Sequence, residues 1–552
     1  MTVEKKRLLI VGGVAGGASC AARARRLSET AEIVILERGA FVSFANCGLP
    51  YYVGDVITEE KKLLVANAEL FKKRFNIEVR LENEVIDINP NNCQIKVKNL
   101  ATGEIYQEPY DALVLAPGAA PIRPPLPGID LPGIFAIRNI PDSRRIRQWI
   151  DTREVKQAVV VGGGFIGLEM TENLVHRGIE VTLIEGQSQV MAPLDPEMVV
   201  SVHNRLKSQG VKLELNDIVT GFANDDRITV KTKLGKSHEA DLVILGIGVR
   251  PETTLAKAAG LQLGDRGGIK VNAQMQTSDP NIWAVGDAVE VPNFITQESE
   301  LLSLAGPANR QGRIAADVIF GRDSKFRGVQ GTSVCGVFDL TIAATGVNEK
   351  TLKRLGWEYD KVYLHPGHHV GYYPNAKAID IKLLYAKEDG KVLGAQAVGE
   401  AGVEKRIDVI ATAIQMQATV FDLEEAELCY APQFGAAKDP INMAGMIAAN
   451  ALRGDAPLVH WSNFANLDGG VLLDVREANE FESGHVPNAI NIPLSQLRQR
   501  MNELPAQKNI WVYCQVGQRA YYATRALRLS GFDAYNLSGG FKTYRAISQQ
   551  NS

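Results

Sequence analysis

The clearest pattern in the chain is a short apolar run that stops at a glycine cluster, and it occurs twice. Leu8-Leu9-Ile10-Val11 runs into Gly12-Gly13-Val14-Ala15-Gly16-Gly17; Ala158-Val159-Val160-Val161 runs into Gly162-Gly163-Gly164, with Gly167 beyond. Each run is too short for a helix and reads as a buried strand. A helical stretch follows the glycines, then a second apolar run, "IVIL" ending at Glu37 and "VTLI" ending at Glu185. Strand, glycine turn, helix, strand and acid, repeated about 150 residues apart, predict two βαβ dinucleotide-binding units in an α/β protein.

The glycines have assignable duties. Gly162 permits the tight turn, Gly164 lets backbone amides approach a pyrophosphate, and Gly167 lets helix and strand pack closely. The first unit has Gly12, Val14 and Gly17 at these positions, so its middle glycine is missing, although Gly13 and Gly16 flank the gap. Glu37 and Glu185 are expected to accept from ribose hydroxyls, and an acid at 185 repels a 2′-phosphate, which favours NADH over NADPH. "DALVLAPG" (111–118) and "DLVILGIG" (241–248) read as strands ending at Gly118 and Gly248, each closing a nucleotide sheet. "NIWAVGDAVE" (281–290) places the Asp287 carboxylate after Gly286, where it would accept from a sugar-like hydroxyl.

Beyond about residue 325 the texture becomes alternating strands ("TIAATGV", "IDIKLLYAK", "KVLGAQAVG") and then amphipathic helices to about 453. "RGDAPLVHWSNF" (453–464) reads as a linker, followed by a compact α/β segment. Composition adds exclusions. A net charge of -3 gives no global case for nucleic acid or an anionic membrane, and no apolar run is long enough to span one. Six scattered cysteines without a CxxC pair, and a start that lacks a signal-peptide pattern, lead us to expect a cytoplasmic protein with reduced thiols.

One of those cysteines stands apart. Cys47 lies in "SFANCGLPYYVG", about ten residues past the first unit's second strand, and position 42, where a CxxxxC motif would need a partner, is valine. With its glycine units, this segment and "YAPQFGAAKDPINMAG", the chain to about residue 450 resembles the flavoprotein disulfide reductases, specifically their single-cysteine branch of coenzyme A disulfide reductase, NADH oxidase and NADH peroxidase. The last 95 or so residues resemble a rhodanese, through "LLDVREANEFESGHVPNAINIPL", "VYCQVGQR" and "NLSGGFKTYR". The whole is similar to the coenzyme A disulfide reductase–rhodanese fusions, which include NADH-dependent persulfide reductases.

The resemblance implies an architecture: an FAD domain (1–118 and 246–324), an NAD(H) domain (119–245), an α+β dimerisation domain (325–453) and an α/β rhodanese domain (460–552). It implies FAD held by Gly12, Gly13, Gly16, Gly17, Glu37, Arg38, Gly118, Gly286 and Asp287, and NADH held by Gly162, Gly164, Gly167, Glu185 and Gly248. Coenzyme A would meet Arg23, Arg26, Ser43, Asn46 and Lys72, with Lys73 and Arg74 as possible additions to the patch; a turn and a solvated basic face are the plainer alternatives. Cys47 becomes the redox thiol, its pKa expected to be lowered by local amides and a helix dipole. Tyr430, and one of Tyr372 and Tyr373, would supply a proton across a homodimer.

Cys514 opens a C-x4-R loop closed by Arg519 at a helix N-terminus, one residue shorter than the phosphate-cradling C-x5-R loop and better suited to sulfane sulfur. Asp474 and Arg476 would support that loop. Cys20, Cys93, Cys335 and Cys429 read as structural, and "HPGHH" (365–369) as a solvated loop rather than a metal site. The function expected is NADH-dependent reduction of persulfides or polysulfides, with Cys514 as a tethered sulfur carrier at high effective concentration. The alternatives are coenzyme A disulfide reduction, NADH oxidase or peroxidase activity, and a non-enzymatic sulfur-sensing or carrier module.

Overall fold

The computed structural model describes residues 6–224, 226–464 and 469–550. The chain forms two compact units: residues up to 188 with 210–329, and residues 189–209 with 330 onward.

The first unit holds two five-stranded parallel sheets. In one, the order is Ile282–Ala284, Ala112–Leu115, Arg7–Val11, Glu32–Glu37, Glu78–Leu81; in the other, Lys212–Glu214, Glu180–Ile184, Gln157–Val161, Leu242–Leu245, Ile134–Phe135. Both central strands are those read from the apolar runs, and Leu8, Leu9, Ile10 and Val160 are fully buried. Burial on both faces is what near-continuous Leu, Ile and Val segments require.

The second unit contains a five-stranded antiparallel sheet, ordered Ser333–Val337, Leu340–Gly346, Val392–Gly399, Ile379–Ala386, Tyr359–Leu364, with helices Val403–Gln415 and Pro440–Leu452. Its other sheet is parallel, ordered Leu458–Val459, Ala534–Leu537, Ile510–Tyr513, Val471–Asp474, Ile490–Asn491.

The segment read as a linker carries the edge strand Leu458–Val459, paired with Ala534–Leu537, and a buried Trp461. Helix Pro196–Ser208, within the expected 119–245 span, clusters with the second unit, where the Asp195 amide donates to Gln396 Oε1 at 2.7 Å. The histidine run is not simply solvated: His365 is clasped between Asp380 (2.7 Å) and Thr543 (2.9 Å), and His369 is buried.

Candidate active site

The two glycine cradles repeat each other bond for bond. The Gly12 amide donates to the Leu36 carbonyl at 2.8 Å, as Gly162 does to Ile184. The Gly13 amide donates to Glu37 Oε2 at 2.9 Å, and the Gly163 amide to Glu185 Oε2 at 2.6 Å. The other oxygens of Glu37 and Glu185 accept from Gly39 and Gln187, each at 2.8 Å. Each acid therefore braces its loop and keeps lone pairs for a ribose hydroxyl. A Cβ on Gly17 would sit 1.9 Å from the Gly12 carbonyl oxygen, and one on Gly167 1.9 Å from that of Gly162. The middle position differs: a Cβ on Gly164 meets nothing within 4 Å, so Val14 in the first cradle obstructs no protein atom.

Around the first cradle, helix Ala15–Arg25 packs on helix Ala305–Ile319 so closely that a Cβ on Gly312 would fall 2.1 Å from the Gly16 carbonyl oxygen. From that helix the buried Gln311 accepts from the Gly286 amide at 2.7 Å. Burial pushes the neighbouring Asp287 carboxyl up, and Arg138 opposes the shift. The Arg138 guanidinium donates to the Pro117 carbonyl at 3.3 Å, has no carboxylate within ion-pair range among the described residues, and lies 2.8 Å from the position of a Cβ on Gly118. Burial and the nearby Arg38 push the Arg138 guanidinium down. A half-buried cation with no ion-pair partner in direct contact, beside a glycine cradle, is suited to a diphosphate. Sequence reasoning missed both Gln311 and Arg138, which stand outside the glycine motif and reach it only through the fold.

Cys47 sits in a single 3-10 turn, Asn46–Gly48, leading into the five-residue helix Leu49–Val53. Its loop is tied to the first cradle: the Ser43 amide donates to the Gly13 carbonyl at 2.8 Å, with Ser43 itself at φ 48°. The Ala45 amide donates to the Leu63 carbonyl at 2.7 Å. Cys47 is exposed, and all six cysteines are free.

The expectation of a lowered thiol pKa is reversed. Although the residue is exposed, desolvation by the protein around the sulfur, then the carboxylates of Glu169 and Asp287, push the Cys47 thiol up, and the local amide only partly offsets them. Glu169, beside it, is itself pushed up to about 7 by burial, with the Tyr51 hydroxyl 3.4 Å from Oε1. Glu169→Gln removes a negative neighbour. The pH midpoint for alkylation of Cys47 by iodoacetamide should therefore move to lower pH in that variant, because only the thiolate reacts. A midpoint that stays put or rises would show that Glu169 does not govern the thiol.

The basic patch is only partly available. Arg23 is paired with Asp317 at 2.6 Å, whereas Arg26 is exposed and its side chain donates to the Ala22 carbonyl, with no carboxylate partner among the described residues. Lys72 is exposed with its ammonium 3.3 Å from Asn76 Oδ1, and Lys73 pairs with Glu69. Arg25, not singled out by sequence, is buried and donates to the carbonyls of Ser28, Glu29, Ala31, Phe75 and Asn76. It thereby fastens the end of the first helix to the end of helix Ala68–Phe75, which carries Lys72.

In the second unit, the Tyr372 and Tyr430 hydroxyls are 2.8 Å apart and both rings are exposed. Tyr373 instead packs edge-on against His369. Of the two candidates, Tyr372 is the one that joins Tyr430. Cys20 is fully buried and pushed up to about 12, and Cys335 is buried, as structural thiols should be; Cys429 is exposed.

Cys514 is fully buried at the end of strand Ile510–Tyr513. Its sulfur accepts from the Gly517 amide at 3.2 Å, and Gly517, at φ 94°, caps helix Gln518–Leu529. Asp474 and Arg476 form a buried pair at 2.7 Å, and Arg476 donates on to Gln515 Oε1 at 3.3 Å. Arg519 forks onto Glu480.

A nucleotide pair of cradles, a lone thiol tied to one of them, and an antiparallel domain carrying paired tyrosines define a class. The chain belongs to the pyridine nucleotide-disulphide oxidoreductases: that family's model matches residues 6–312, its dimerisation-domain model residues 332–439, and a rhodanese-like domain model residues 461–547. It is thus an oxidoreductase of a family that uses FAD and NADH, and the two cradles fit those dinucleotides.

Among individual relatives, the coenzyme A disulfide reductase of Staphylococcus haemolyticus is 36% identical over 441 residues, 80% of this chain and 98% of that one. The crystal structure of reduced CoADR-RHD from Bacillus anthracis matches with a TM-score of 0.97 and 50% identity, covering 99% of each chain. An NAD-dependent persulfide reductase from A. fulgidus matches with a TM-score of 0.90 and 36% identity over 98% of this chain and 100% of that one. Among the described residues, no helix is long and apolar enough to cross a membrane.

Proposed function

We propose that this protein reduces persulfides with NADH, releasing sulfide, and carries sulfane sulfur on its own rhodanese-like domain. The observation that carries the reading is the presence of two thiols in unlike settings. Cys47 is exposed and bound through its loop to a dinucleotide cradle; Cys514 is fully buried at a helix N-terminus, its sulfur accepting from the Gly517 amide. Coenzyme A disulfide reduction alone would use the first and leave the second without a task.

The first cradle with Asp287 and Arg138 would hold FAD, and the second cradle with Glu185 would hold NADH; the flavin would supply the two-electron relay from NADH to the oxidised sulfur on Cys47. The overall reaction is RSSH + NADH → RSH + HS⁻ + NAD⁺. Cys47 as thiolate attacks the inner sulfur of R–S–SH; the S–S bond breaks, Cys47–S–S–R forms, and HS⁻ leaves with the electron pair. Glu169, close to half-protonated near neutral pH, quiets the negative field around that thiolate when it takes a proton. In a homodimer, Tyr430 of the partner subunit, paired with Tyr372, donates a proton to the departing sulfur. Arg26, Lys72 and Arg74, exposed and without a carboxylate partner among the described residues, would meet the phosphates of a coenzyme A donor.

The test is NADH oxidation by the holoenzyme with coenzyme A persulfide and with coenzyme A disulfide. The persulfide should give the higher kcat/KM and one sulfide per NADH. Equal or faster turnover of the disulfide assigns the protein to disulfide reduction instead.

A further inference from the structure

The rhodanese-like loop has its cations already matched by acids. Arg519 meets Glu480 in a two-pronged pair, Nη1 to Oε2 at 2.6 Å and Nη2 to Oε1 at 2.7 Å. Glu480 is fixed in turn, since its Oε2 accepts from the Glu477 amide at 3.2 Å in the capping box of helix Ala478–Glu482. Arg476, which reaches the loop through Gln515, is closed by Asp474, both fully or almost fully buried. Lys542, whose amide donates to the Gln515 carbonyl at 3.0 Å, has its ammonium on Asp380. Among the described residues, each of these three cations therefore has its own carboxylate. What remains for a ligand is amide dipoles, such as the Gly517 N–H directed at Cys514 Sγ, and an Arg519 guanidinium that also hydrogen-bonds Cys514 but whose charge Glu480 already balances.

Such a site treats donors differently. A doubly charged inorganic donor such as thiosulfate needs an uncompensated cation for its sulfonate end, and here it would face the Glu480 carboxylate behind the arginine. An organic persulfide brings at most one charge at the reacting end, which loop amides can accept. We infer that Glu480 is a specificity-determining residue, which by holding Arg519 restricts Cys514 to organic persulfide donors and excludes dianionic thiosulfate. The step is Cys514–S⁻ + R–S–SH → Cys514–S–SH + R–S⁻: a sulfur–sulfur bond forms at Cys514, the donor's S–S bond breaks, and the thiolate leaves with the electron pair. Nothing is oxidised or reduced overall. The inference rests on the proposed role of Cys514 as sulfur carrier, and it is tested without NADH.

The experiment measures thiocyanate formed from cyanide by the full-length holoenzyme, with thiosulfate or glutathione persulfide as donor. Wild type should favour the persulfide. Glu480→Gln should raise kcat/KM for thiosulfate about tenfold, mainly through KM, and change the persulfide value far less, as expected for an arginine freed from a half-exposed ion pair. Arg519→Gln, which leaves Glu480 uncompensated, should move the ratio the other way and serves if the first variant does not fold. An unchanged donor ratio in both variants overturns the inference. Transfer that persists in Cys514→Ser overturns the carrier role itself, a separate and recognisable result.

Discussion

Cys47→Ser should purify yellow, with its flavin bound, and yet lose NADH-dependent sulfide release by a factor of about 10³ or more. Flavin should stay because the groups that build the first cradle, from Gly12 to Gln311, bond through other atoms; the Cys47 sulfur is in none of those bonds. Activity should go because a serine hydroxyl cannot form the S–S linkage that holds the substrate. Cys20, the nearest in sequence, is fully buried and pushed up to about 12. The measurement pairs the visible spectrum with sulfide release per NADH consumed. A yellow variant that still released sulfide at more than a tenth of the wild-type rate would remove Cys47 from the chemistry.

What the sequence disclosed and what it withheld divide along a physical line. Gly12, Gly17, Gly162 and Gly167 were legible because their demand is local: a single Cβ would collide with a carbonyl a few residues off or on the adjoining strand. Cys47, Cys514 and Tyr430 were legible through motifs that persist as contiguous strings. The electrostatic state of Cys47 was not, since Glu169 and Asp287, about 120 and 240 residues on, raise what the local amides lower. Arg23 looked like a free cation only because Asp317 is about 290 residues away. Val459 hid in an apparent linker because a two-residue edge strand has no period to read.

The same line separates the two acids of the dinucleotide units from the two arginines that the sequence offered as anion binders. Glu37 ends a strand and Glu185 directly follows one, so register alone brings them to amides of the glycine turn. Arg23 and Arg519 lie on helix surfaces, where the partner decides the role, and both partners, Asp317 and Glu480, come from other helices. A cation in a motif is thus a weaker signal than a glycine in one. Its charge can be cancelled by any carboxylate the fold delivers, whereas a missing Cβ cannot be restored.

Lys382→Met should cost the second unit about 3–5 kcal/mol at pH 7, the loss expected when one partner is removed from a buried ionic cluster. Lys382 is fully buried on strand Ile379–Ala386, and its ammonium pairs with Asp195 at 2.8 Å, with Glu349 at 3.3 Å and with Glu197. Lys361 adds a second cation at Glu349, and the Tyr363 hydroxyl donates to Glu197 at 2.7 Å. These three acids are close enough to one another to hold a metal ion, but the Lys382 ammonium already stands among them. The two lysines hold the Glu349 carboxyl down at about 2 against strong opposition from burial. A carboxyl lowered in the folded state contributes stability that is present above its ordinary value near 4.5 and is lost as pH falls toward about 2. Methionine reverses that sign, because buried carboxylates without their ammonium gain by taking protons. Thermal unfolding followed at pH 7 and pH 5 should therefore show a wide gap between variant and wild type at pH 7 and a narrower one at pH 5. Asp195→Asn should restore part of the loss in the variant background. A gap that widens at pH 5, or a double variant less stable than Lys382→Met alone, would mean that the cluster is not held by the charge of Lys382.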